Sequence, residues 1–134
     1  MTTAPVWQRL LWICFAGALG SGARFLVSLG AERLGQGQGS FPFGTLIVNV
    51  VGSFLICMVM ELAAAGLVSP TLRLTLTTGF LGGFTTYSAF AYETLRSAEA
   101  RQWSITAANL VATLVLGLGA GVLGMICGRK LAGG

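Results

Sequence analysis

Four stretches of this sequence are long and apolar enough to cross a bilayer, and they leave little chain for anything else. They run from about Leu10 to Ala31, Gly44 to Leu67, Leu72 to Leu95 and Trp103 to Cys127. A helix needs roughly 20 mostly apolar residues to span the hydrocarbon core. Of the 134 residues, 54% are hydrophobic and 9% charged, and the mean hydropathy is +0.81. A soluble domain carries about 25% charged residues, so this chain could not cover a water-facing surface. Trp7, Trp12 and Trp103 fall near window ends, as interfacial aromatics do. The expected fold is therefore an all-α membrane protein, with one four-helix transmembrane domain over residues 1–134. Its surroundings are membrane lipid, and no nucleic-acid partner is expected. Arg9 before an apolar run, with small residues from Gly20 to Ala23, also has the outline of a signal peptide. Cleavage there would remove most of the first window, which is instead read as a span.

Charge gives no orientation. Four spans would put Arg9, Arg73, Arg129 and Lys130 on one side of the membrane. Arg33, Arg96 and Arg101 would lie on the other, joined by Arg24 if its side chain snorkels outward. Lys/Arg asymmetry orients membrane proteins, and it is nearly missing. A chain like that inserts both ways, which points to dual topology and an antiparallel homodimer. Such a pair forms an inverted repeat about an axis in the membrane plane.

Polar residues in the apolar windows fall in stripes. Thr45, Asn49 and Ser53 are spaced by four and share a helix face. Asn109, Thr113, Gly117 and Gly121 make a second stripe, and Gly17, Ser21, Arg24 and Ser28 a third. Small and hydroxyl residues at such spacing serve close helix packing, as do the GxxxG pairs Gly79–Gly83, Gly117–Gly121 and Gly124–Gly128. Asn49 and Asn109 suggest more, because an amide offers two donors and two acceptor lone pairs. Each stands one turn from a threonine, as a hydrated or ion-lined track would require. Arg24 costs about 2.5–3.5 kcal/mol at a helix centre. It reads either as a snorkelling anchor or as a fixed charge that concentrates anions at a pore mouth. Cys14, Cys57 and Cys127 read as small buried hydrophobes. Histidine, the commonest proton shuttle, does not occur.

The segment Gly79–Phe90, GFLGGFTTYSAF, is punctuated as no plain membrane helix needs to be. Irregular backbone at membrane depth survives only where protein buries it or it lines a cavity. A break at Gly82 and Gly83 would free carbonyls from Gly82 to Thr85, natural ligands for a small hard cation. Beyond it, Tyr87 and Phe90 are three apart and project from one face. Aromatic rings have positive edges, so two edges beside Asn49 could line an anion path, with Ser88 adding a hydroxyl.

These residues resemble the Fluc (CrcB) family of fluoride channels. GFLGGFTTYSAF is similar to the family's third-span signature, GTLIVNVVGSF (Gly44–Phe54) to its second, and GALGSGARF (Gly17–Phe25) to its first-span glycine run. The resemblance implies a dual-topology homodimer with two fluoride pores and a structural sodium ion at the centre. By position it implies that Asn49 lies on the pore, Tyr87 and Phe90 form the aromatic pair, and Ser88 coordinates fluoride. Thr113 then supplies a fourth-span hydroxyl, Arg24 matches the first-span arginine and Glu93 an acid after the rings. Carbonyls of Gly82 and Thr85 would hold the sodium. The chain departs from the family pattern at Tyr87, where phenylalanine is usual, and at Ala89, where threonine is usual.

The implied activity is passive export of fluoride across the cell membrane, which confers fluoride resistance and is not enzymatic. A small dual-topology multidrug or proton-coupled transporter is the alternative, although the first span lacks the deep carboxylate it would use. Proton-driven fluoride exchange would fall to Glu93, and a purely structural subunit would need only the glycine faces.

Overall fold

The computed structural model describes residues 4–32 and 41–134, and among these the regular structure is entirely helical. Helix α1 covers Val6–Glu32 and α2 covers Phe43–Ala64. A helical rod follows, built from α3 (Pro70–Leu74), a π-helical segment (Thr75–Leu81) and one turn, α4 (Gly82–Phe84). Thr85 and Thr86 are extended, and then come α5 (Tyr87–Glu99) and α6 (Trp103–Leu131). Three stretches, Val6–Ala31, Phe43–Ala64 and Trp103–Leu131, are helices long and apolar enough to cross a membrane. The window expected over 72–95 is divided between the rod and α5. Arg33, counted above for charge, lies outside the described residues.

Local chemistry explains the boundaries. The rod starts where Ser69 Oγ accepts the Leu72 N–H at 3.3 Å, with Pro70 in the first turn, where its missing N–H costs nothing. Helix α2 ends in a Schellman motif. The Leu67 N–H donates to Leu62 and the Gly66 N–H to Ala63, with Gly66 at φ 77°. The same motif ends α5, through Gln102 to Ser97 and Arg101 to Ala98. There the left-handed position is Arg101, at φ 58°, a conformation that costs an L-residue roughly 1–2 kcal/mol.

Two helix pairs are joined by glycine faces. Helix α2 lies along α6, and α1 lies along the rod. A Cβ on Gly128 would sit 2.7 Å from Glu61 Cβ, and one on Gly121 3.3 Å from Cys57 Sγ. A Cβ on Gly124 would collide with the Phe54 carbonyl. On the other side, a Cβ on Gly79 would lie 2.9 Å from the Ile13 carbonyl, and Gly83 abuts the Gly17 carbonyl. These are the close backbone approaches that small residues permit in lipid, where burying apolar surface gives no driving force between helices. The buried apolar cluster is correspondingly small: Val48, Leu81 and Phe84, with Phe80 stacked on Phe84 at 5.8 Å between ring centroids. At one end Arg129 Nε and Nη2 donate to Glu61 at 3.2 and 3.1 Å, tying α6 to α2.

Candidate functional site

The extended pair Thr85–Thr86 is held from across the fold. Asn49 Nδ2 donates to the Thr86 carbonyl at 3.0 Å, and the Thr86 N–H donates to Asn49 Oδ1 at 2.8 Å. The side-chain amide thus serves both backbone groups of one residue, as a neighbouring strand would. That leaves one donor and one lone pair on the amide for other partners. Thr86 then caps α5, its Oγ1 accepting the Ala89 N–H at 3.2 Å. Gly82 and Gly83, expected to break the helix, are both helical. The extension comes later, at Thr85 (φ −85°, ψ 159°) and Thr86 (φ −152°, ψ 114°). Glycine only permits a departure from helix, whereas here a cap and a clamp enforce one.

Beside this pair lies a cavity of about 370 Å³, open to one side. Asn49, Tyr87, Phe90 and Thr113 line it together, with Gly82, Thr85, Ser53 and Thr77. Four candidate pore residues and both candidate carbonyl residues therefore share one hollow. The two rings lie 5.9 Å apart at 51°, Phe90 8% exposed and Tyr87 79% exposed. Ser88 and Arg24 do not line the cavity. Ser88 is exposed, with its Oγ 3.3 Å from Thr86 Oγ1. Arg24 is half-buried on α1 and has no ion-pair partner among the described residues.

The Gly82 and Thr85 carbonyls have lost their usual donors. Helix continuation would bring the Thr86 N–H to Gly82, but that group goes to Asn49. The Thr85 N–H goes to the Leu81 carbonyl at 2.9 Å, and the Ala89 N–H to Thr86 Oγ1 instead of the Thr85 carbonyl. Both residues line the one cavity, and carbonyl oxygen is the ligand type a small hard cation prefers. Among the described residues no cluster of three His, Cys, Asp or Glu side chains occurs.

Asn109 does not border this cavity. It is 1% exposed, and its Nδ2 donates to Thr94 Oγ1 at 2.9 Å, which donates in turn to the Phe90 carbonyl at 2.7 Å. Thr113 Oγ1 reaches Asn109 Oδ1 at 3.4 Å. Ser97 Oγ donates to the Thr94 carbonyl and meets Thr106 Oγ1, both at 2.8 Å. This ladder leads to a second cavity of about 360 Å³, lined in part by Asn109, Glu93, Arg96 and Ser97. Glu93 Oε1 accepts from Thr45 Oγ1 at 2.6 Å, while Oε2 is buried with no partner among the described residues. Thr94, Ser97 and Thr106 escaped sequence reasoning, because hydroxyls in helices are commonplace. Thr86 did carry a signal: a threonine ahead of a helical run is a typical N-cap.

Helical structure throughout the described residues, with three apolar spans and a hollow against an extended pair, is the build of a multi-pass membrane protein. Residues 11–125 match the family described as "CrcB-like protein, Camphor Resistance (CrcB)". The chain is 50% identical over 129 residues to "Fluoride-specific ion channel FluC" of Sorangium cellulosum (strain So ce56), covering 95% of this chain and 99% of that protein. It is 48% identical to the protein of that name from Anaeromyxobacter sp. (strain K), covering 93% and 98%. For Geobacter sulfurreducens (strain ATCC 51573 / DSM 12127 / PCA) the figures are 44%, 91% and 98%. The chain belongs to the CrcB-like family and is a multi-pass membrane protein.

Proposed function

We propose that this protein is a fluoride-selective channel of the cell membrane, which lets fluoride leave down its electrochemical gradient and so relieves its toxicity. The relatives' names support the ion, and the cavity beside Thr85–Thr86 is the observation that carries the reading to this chain. A selective pore must replace the ion's water with donors and still release it. Asn49 keeps one amide N–H beyond its clamp, Thr113 would turn its hydroxyl away from the long 3.4 Å bond to Asn109, and Tyr87 and Phe90 offer ring edges. None of these carries a full charge that would trap the anion. Ser88 adds a donor beside Thr86, and Arg24 raises the local anion concentration at a mouth. The ion crosses unchanged, so the protein is no enzyme.

The working unit is an antiparallel homodimer, with each chain a single four-span domain whose third span is broken at membrane depth. The open side of the cavity supports this. Asn49, Ser53, Thr77 and Thr113 would be costly against hydrocarbon, and a second copy would cover them. The balanced charge supports insertion in both orientations. The carbonyls of Gly82 and Thr85 from each copy would hold a sodium ion, which would supply a fixed positive charge there. The freed carbonyls support it.

Efflux from liposomes tests the reading, with fluoride and chloride electrodes side by side and valinomycin to carry potassium. Fast fluoride release that stops without valinomycin, with no chloride release, is expected. Release that ignores valinomycin but follows a proton gradient would replace the channel with an exchanger. No fluoride release from folded dimers would end the channel reading.

A further inference from the structure

The geometry points to Gly52 as a positioning residue: its missing side chain is the seat that lets Thr85 present its carbonyl to a cation. The inference rests on the channel reading above and adds a residue to it. Thr85 is fixed at two points. Its N–H and its Oγ1 both donate to the Leu81 carbonyl, each at 2.9 Å. A β-branched side chain has few χ1 choices, so anchoring the hydroxyl also sets the direction of the methyl. That methyl, Cγ2, lies over Gly52, where any Cβ would collide with it. Phe84 Cδ1 stands 3.8 Å from the same point. Gly52 is buried and helical, so it is not there for backbone freedom. It lies three residues from Asn49 on the same face of α2. Asn49 holds Thr86 and Gly52 receives Thr85, so one face of α2 moulds both extended residues.

A Cβ at position 52 therefore pushes on Thr85, and the Thr85 carbonyl moves with it. The collision is with one methyl group, so removing that methyl relieves it. Thr85→Ser keeps the hydroxyl, the N–H and the carbonyl and deletes only Cγ2.

The test compares wild type, Gly52→Ala, Thr85→Ser and the double variant, all as full chains. Two readouts apply: the shift in thermal unfolding midpoint when sodium chloride replaces N-methylglucamine chloride, and fluoride efflux from liposomes. The expected result is a sodium-dependent shift in wild type, with Thr85→Ser measured as the reference for the double variant. Gly52→Ala loses the shift and the flux, and the double variant regains both. If Gly52→Ala does not fold but the double variant folds and responds to sodium, the seat is equally supported. A Gly52→Ala protein that keeps its sodium response overturns the inference. So does a double variant that fails to recover, since the clash would then lie elsewhere. A wild type that neither conducts fluoride nor responds to sodium removes the channel reading beneath it, an outcome visible before any variant is made.

Discussion

Helix α2 meets α6 on one face and the extended pair on another, and glycine does opposite jobs on these two. Toward α6 the glycines belong to the partner: Gly121, Gly124 and Gly128 receive Cys57, Phe54, Met58 and Glu61. That face is helix against helix, held by close backbone approach. Toward Thr85 and Thr86 the glycine belongs to α2 itself, and what it receives is not a helix. There one side-chain amide and one missing methyl hold two extended residues at the edge of a cavity. The first face resists change because it is close-packed. The second is sensitive because a few atoms set the path of the backbone.

The largest effect is expected where the second face is broken. Asn49→Asp replaces the donor to the Thr86 carbonyl with a carboxylate oxygen and adds a negative charge to the path. Fluoride efflux from liposomes should be abolished while size-exclusion chromatography still shows dimers. Unchanged flux would take Asn49 out of the pore. On the first face, Gly124→Val drives a branched side chain into the Phe54 carbonyl, an overpacking that costs about 3 kcal/mol. It should appear as a lower unfolding midpoint in detergent. Asn109→Ala deletes the bond to Thr94 inside the buried ladder and should cost about 1–3 kcal/mol, measured the same way. The smallest effect sharpens the contrast from within α6. Gly119 has nothing within 4 Å of a Cβ, so Gly119→Ala should be neutral or stabilise by up to about 1 kcal/mol through helix propensity. A large loss there would mean that face is also packed.

Three of the four expected windows were legible because length and apolarity are local properties. Helices α1, α2 and α6 lie over their expected windows, with ends shifted by a few residues where caps decide. The packing role of the Gly79–Gly83 and Gly124–Gly128 pairs was legible too, since spacing fixes a shared face. The position of the extended pair was not. Two adjacent glycines drew attention to 82 and 83, but the helix ends where Thr86 finds Asn49, 37 residues earlier in the chain. Propensity at one site cannot foresee a clamp so far away. Asn49 and Asn109 make the same point. Each is an asparagine one turn from a threonine on an apolar helix, yet Asn49 borders the first cavity, whereas Asn109 is bonded to Thr94 of α5 at the edge of the second. Only the partner helix distinguishes them. Gly52 was invisible for the same reason, as its role exists only in relation to Thr85.

The π-helical segment Thr75–Leu81 has a consequence for how the rod could lengthen or shorten. A π turn holds one residue more than an α turn closes over, as an insertion absorbed without moving either end would. Deleting one residue from this stretch could restore ordinary α winding and leave Ser69 and Gly83 in phase with what they meet. The same deletion in α6 would rotate Gly124 and Gly128 away from α2. Tolerance to lost residues is thus uneven along the chain, and the slack lies one turn before the extended pair.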